Sequence, residues 1–251
     1  MSEQNENHQS NDNSASRVRT LSRNMFGRRM IFTSEKEITA GNVCAVVEQA
    51  YITHLINRGE IEYLWQYYKG NQPVLYRKRE IRDELTQHVV ENRANEIVSF
   101  KVGYLIGKPI QYVASSAGDE VSESINALNR AMRVIGKHSE DKKLIEWTQI
   151  CGIGYRYAVQ NNDPLIGSPF NLYTLDPRNT FVIRANDYTQ RVLAAVNYVI
   201  DDNQQITFTV YTNDSCYTIL HGSGKASRTV NMFGLIPIIE YQANSARQGC
   251  F

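Results

Sequence analysis

The chain has 251 residues, 42% of them apolar and 21% charged, an ordinary globular composition with length enough for one large domain or two small ones. Lys and Arg number 27 against 26 Asp and Glu, a formal charge of +1, which excludes a surface built throughout to coat nucleic acid and leaves only local basic patches. No apolar run reaches membrane-spanning length, and the dispersed Cys44, Cys151, Cys216 and Cys250 read as thiols of a reducing compartment, not as a disulfide framework or zinc site.

Met1 to Ser16 is polar and lacks the basic and apolar stretches of a signal peptide, so the protein is expected in the cytosol where it is made. Residues 1–34 read as a disordered basic arm. The first half has almost nothing to bury, and Arg17, Arg19, Arg23, Arg28 and Arg29 follow with no acid between Asn13 and Ser34. Such an arm can touch DNA, RNA or an acidic partner, although a single charge run more often marks a solvated face.

Helical periodicity governs residues 35–152. Val43, Val46, Val47, Ala50, Tyr51 and His54 recur at i, i+3, i+4 spacing with Thr39 as the cap, and a second short helix is predicted over Glu60–Tyr68, stopping at Gly70. Asn92 caps a helix whose Ile97, Val98, Phe100, Val102, Tyr104, Leu105 and Ile106 occupy most of its circumference, which predicts burial; Gly107 and Pro109 end it. Val121, Ile125, Leu128, Met132 and Ile135 stripe a helix from Asp119 to Gly136. Ser139, followed by Glu140 and Asp141, starts another that reaches Cys151-Gly152.

After Gly154 the period becomes two. Residues 153–243 read as an antiparallel sheet: Tyr155, Tyr157 and Val159 alternate with Arg156, Ala158 and Gln160, strands near Leu172 and Phe181-Val182-Ile183 flank the turn Leu175-Asp176-Pro177-Arg178, and a meander follows over 191–230. Asp201-Asp202-Asn203, Asn213-Asp214 and Gly222-Ser223-Gly224 supply its turns. Ile206, Phe208 and Val210 opposite Thr207, Thr209 and Tyr211 predict a half-exposed sheet. Helices first and strands after make the fold class α+β.

Motifs that could carry chemistry fail on context. Gly103-Tyr104-Leu105-Ile106-Gly107-Lys108-Pro109 has three residues between its glycines where a phosphate loop needs four, and Pro where that loop needs Ser or Thr. Glu140-Asp141-Lys142 matches the E-x-K element of metal nucleases but opens a helix, where acids are favoured by the dipole. His8, His54, His88, His138 and His221 show no ligand spacing. Tyr67, Tyr68 and Tyr76 beside Lys69, Arg77, Lys78, Arg79 and Arg82 could stack and neutralise a single strand, yet Glu80, Asp83 and Glu84 interrupt the charge and favour an exposed loop with local ion pairs. No catalytic, cofactor or metal residues are assigned, and the expectation is that the protein is not an enzyme.

A set of phrases in order carries a resemblance. They are Tyr67-Tyr68-Lys69-Gly70-Asn71-Gln72-Pro73-Val74-Leu75, Asn92-Arg93, Lys101-Val102-Gly103-Tyr104-Leu105-Ile106-Gly107-Lys108-Pro109-Ile110, Gly152-Ile153-Gly154-Tyr155-Arg156-Tyr157, Leu175-Asp176-Pro177-Arg178-Asn179-Thr180-Phe181-Val182-Ile183 and Leu235-Ile236-Pro237-Ile238-Ile239-Glu240-Tyr241-Gln242-Ala243-Asn244. From about Ile38 to Phe251 the chain resembles the portal proteins of long-tailed phages of Gram-positive bacteria. The resemblance implies a subunit of a dodecameric ring at one capsid vertex of the virion, assembled in the host cytoplasm. Double-stranded DNA passes through such a ring, and terminase, scaffold, major capsid and head-completion proteins meet it. It implies that 35–152 and 153–243 are the helical and sheet parts of the portal wing, and that 244–251 is a truncated start of the stem segment. The alternative is a small nucleic-acid-binding module that uses the arginine arm and the Tyr67–Arg82 loop.

Overall fold

The structure, a computed structural model, describes residues 28–76, 89–115, 119–161 and 167–243. Its organising pair is β4 (Thr180–Ala185) against β5 (Val192–Ile200), antiparallel with a bulge between Ile183 and Arg184. Both strands are apolar on both faces, and side-chain alternation sends successive residues into two separate cores. Phe181, Ile183, Ala194, Val196 and Tyr198 enter one; Val182, Val192 and Ala195 enter the other. The half-exposed sheet expected from residues 206–211 therefore does not extend to these two strands.

The first core lies under a helix. β5 continues as a meander through β6 (Ile206–Tyr211), β7 (Ser215–Leu220) and β8 (Ala226–Val230), and Phe208, Val210, Tyr217 and Ile219 face Val43, Val46, Val47, Ala50 and Tyr51 of α1 (Val43–Tyr68). Tyr51 meets the rings of Tyr198 and Phe208 edge-on at 5.3 and 5.1 Å, the geometry that ring quadrupoles favour. The far edge is closed by β1 (Phe32–Thr33), which pairs parallel with β4, so the six strands run β1-β4-β5-β6-β7-β8.

The second core lies on the opposite side. A three-stranded sheet, β3 (Phe170–Leu175), β2 (Ile153–Gln160) and β9 (Ile238–Gln242), sends Ile153, Tyr155 and Ile238 toward Val182 and Ala195. The strands flanking Asp176-Pro177-Arg178 thus belong to different sheets. Arg178 explains the turn: its backbone N–H donates to Asp176 Oδ1 at 2.8 Å, and its guanidinium binds Asp176 and Glu62 beside the stacked rings of Trp65 and Trp147.

α4 (Lys137–Cys151) packs on β2 and β3, and also touches α1, α2 (Arg93–Leu105) and α3 (Asp119–Val134). Left-handed glycines bracket it, Gly136 at φ 66° and Gly152 at φ 76°, a backbone region open to glycine without a Cβ clash. Ser139 lies inside the helix, and the cap is Gly136. Thr39 is likewise not the α1 cap: that position is Asn42, whose Oδ1 accepts from the Thr39 N–H at 2.8 Å.

The two helices expected over 43–68 are one 26-residue helix. Gly59 inside it costs roughly 1 kcal/mol relative to Ala, but the turn around it is fastened from outside. Asn57 exchanges two hydrogen bonds with the Arg29 backbone, and Glu60 is ion-paired to Arg28 and Arg29.

Two measurements follow. A Cβ on Gly154 would stand 2.9 Å from Leu144 Cδ1 and Thr148 Oγ1 and 3.2 Å from the Leu144 carbonyl, because β2 starts directly against α4. Gly154→Ala is expected to lower unfolding free energy by about 1–3 kcal/mol, the usual penalty of overpacking, read as a shift in urea midpoint. His54 is 2% exposed, stacks on Phe181 at 4.6 Å and contacts the Arg178 carbonyl. Burial pulls its pKa from 6.5 down to about 4. The unfolded chain therefore binds a proton that the native state refuses between those values, so stability present above pH 6.5 is lost as pH falls toward 4, by on the order of 3 kcal/mol. In His54→Phe the loss across that window should shrink; an unchanged pH profile would exclude His54 as its source.

Candidate functional site

The segment Arg28–Thr33 is the first candidate, because it carries two of the residues singled out for nucleic-acid contact. Arg28 lies in the seam between α1 and β2. Its Nη1 donates to Glu60 Oε2 at 2.9 Å and its Nε to the Cys151 carbonyl at 3.1 Å. Arg29 Nη1 reaches Glu60 Oε1 at 3.2 Å. The side chains of Arg28 and Glu60 are 8% and 3% exposed. The chain then runs on as β1, with the Ile31 carbonyl accepting from Arg184 N and the Thr33 carbonyl from Asn186 N.

Residues 28–33, drawn as part of a basic arm over 1–34, are therefore held on the body, and Arg28 and Arg29 anchor them with their charge directed at Glu60. The reason is burial: Ile31 is 5% exposed, and an apolar residue after two arginines pulls them against the body. Arg17, Arg19, Arg23, Arg77, Lys78 and Arg79 lie outside the described residues, as does Arg82. Of the aromatics beside that loop, Tyr68 is buried with its hydroxyl donating to Glu146 at 2.8 Å. It is thus turned away from any nucleic acid.

The Glu140-Asp141-Lys142 element is also committed to packing. Glu140 accepts from the Thr174 N–H at 2.7 Å and from Lys143. Burial alone would raise its pKa, but the bonds from Lys143 and Thr174 outweigh that and hold the carboxyl below its ordinary value. Asp141 accepts from Arg156 at 2.8 Å and from Lys137. Both acids pin α4 to the three-stranded sheet. Among the described residues no group of three or more His, Cys, Asp or Glu is placed to hold a metal ion. Burial pushes the Cys151 thiol up to about 12, far from the range of a nucleophile. A cleft of about 200 Å³ between Pro109-Ile110-Gln111 and the α3–α4 corner is below the roughly 300–1,000 Å³ of small-molecule sites.

What remains is apolar surface. Asn92 caps α2 by accepting from the Asn95 N–H at 3.2 Å, while its Nδ2 donates to the Tyr68 carbonyl and ties α2 to the end of α1. One row of α2, Val98 and Val102 with Ile106 beyond it, turns inward. The other row does not. Ile97, Phe100, Tyr104 and Leu105 are 55%, 72%, 81% and 56% exposed, with the Phe100 and Tyr104 rings stacked at 6.3 Å. The helix expected to be buried on most of its circumference is covered on one side. At its end a Cβ on Gly107 would meet the Gly103 carbonyl at 2.6 Å, so Gly107 serves a tight helix stop and not a phosphate cradle. α1 has an exposed row of its own in Ile52, Leu55 and Ile56. Sequence reasoning saw the α2 residues but assigned them to a core, and it passed over Glu60 and Asn57. Both lie in the register of the buried α1 stripe, a signal available in the sequence.

A family model described as phage portal protein, SPP1 Gp6-like, matches residues 50–251. No curated protein matches the chain. The family match covers more than half of the chain, and the chain belongs to the phage portal protein family.

The anchor yields a stability test. Glu60→Ala leaves the Arg28 guanidinium buried beside a lost partner, and breaking such a pair costs about 3–5 kcal/mol. Removing both charges with Arg28→Met and Glu60→Leu should recover most of that loss. Denaturant midpoints decide it, and a Glu60→Ala midpoint equal to the parent's would show that the segment is not held by this pair.

Proposed function

We propose that the chain is a subunit of a phage portal ring at one capsid vertex, assembled in the host cytoplasm, through whose channel double-stranded DNA enters during packaging and leaves on ejection. Terminase and head-completion proteins would dock on the same ring, with scaffold and major capsid protein surrounding it. The observation that carries this reading is the family match over residues 50–251. Exposed apolar rows on α1 and α2 support it, since a subunit built for assembly keeps surfaces that a lone protein would cover. The portal family is structural and not catalytic, and the proposal assigns the chain no reaction. The nucleic-acid-module alternative gains no observation: Arg28 and Arg29 are spent on Glu60.

The test is genetic and physical. Deleting the gene from its phage is expected to leave heads without nuclease-protected DNA, with protection restored when the chain is supplied in trans. DNA-filled heads at the parental level in the deletion would overturn the proposal.

A further inference from the structure

Two unlike apolar rows on one molecule suggest how copies meet. We propose that the outer row of α2 on one copy packs against the outer row of α1 on the next, a head-to-tail contact between chains; the inference rests on the portal reading and specifies the self-contact of that assembly.

Area is the first argument. Aromatic side chains bury about 150–250 Å² each, so Ile97, Phe100, Tyr104 and Leu105 at their exposures offer roughly 500 Å². That is more than half of the ~800 Å² that each partner contributes to a standard interface. On α1, Ile52 is 66% exposed, with Leu55 and Ile56 completing the row.

Charge is the second argument, and it selects the pairing. The α2 row carries Lys101 on its face and Lys108 just past its end, both exposed, whereas α1 from Val43 to Asn57 has no Lys or Arg and one acid, Glu48. Packing the α2 row on its own copy about a two-fold axis would bring like charges together inside an apolar contact. Packing it on α1 does not. Contacts between unlike patches are heterologous, and they close into a ring only when the rotation between neighbours divides a full turn, giving open chains otherwise.

The test uses the 251-residue chain and two double variants, Phe100→Asp with Tyr104→Asp, and Ile52→Asp with Ile56→Asp. Each variant must melt within a few degrees of the parent; where one does not, Ser replaces Asp. In sedimentation equilibrium the parent should grow in mass with concentration, and each variant alone should stay at one chain. Their equimolar mixture should reach the mass of two chains and stop, because each retains the face that the other has lost. Growth of either variant like the parent would overturn the inference, as would a variant that dimerises alone or a mixture that remains monomeric. A parent that is monomeric at every concentration overturns it too, while the vertex reading stands or falls separately on DNA protection in the deleted phage.

Discussion

The constraint on which the rest of the structure depends is that β4 and β5 are buried on both faces. Ala194, Ala195 and Val196 are consecutive and each has no measurable exposure, which a strand achieves only when something apolar covers each side. One cover is the first half of α1; the other is β2 and β9 with the second half of α1 behind them. Because α1 supplies residues to both cores, its 26 residues act as a strut along the seam, and a break at Gly59 would separate the two. This is why the middle of α1 is where Arg28, Arg29 and Asn57 converge.

Polar groups occupy the seams. Glu60 joins the incoming segment to α1, Asp141 with Arg156 joins α4 to β2, and Arg184 with Glu240 joins the two sheets. Buried pairs of this kind add little net stability over apolar replacements, but each forms in one register only, and removing one member is costly. They fix how layers slide, not whether they stick. The same commitment occupies the acids themselves: Glu140, Asp141 and Glu60 each accept from partners within the fold.

The class of the fold and most of its elements were legible, because periodicity is a local property. The meander over 191–230 follows from alternation and turn residues, and the end of α2 just before Gly107 from the stop signal of Gly107 and Pro109. Pairing was less legible. The turn at Asp176-Pro177 reads like a hairpin, yet β3 and β4 part into different sheets, because β2 gives β3 an antiparallel partner along its whole length while β4 is claimed by β5. β1 escaped notice since two residues carry no period; it exists because the Arg28 and Arg29 contacts with Glu60 deliver it to the edge of β4. The capping residues at 39 and 139 were plausible chemically, but side-chain oxygens compete with backbone geometry, and a left-handed Gly136 supplied the start that Ser139 seemed to offer.

The apolar girth of α2 is the most telling case. A helix apolar around most of its circumference belongs in an interior, and the sequence reading placed it there. In the single chain, α4 covers the row through Val98 and Val102, and nothing among the described residues covers Phe100 and Tyr104. The composition of a helix reports all the neighbours it evolved to meet, whereas one chain displays only those it carries itself. For a member of a family whose members assemble, an apolar stripe left open on the single subunit is what the proposed contact between copies would cover, and the second stripe of α2 is such a surface.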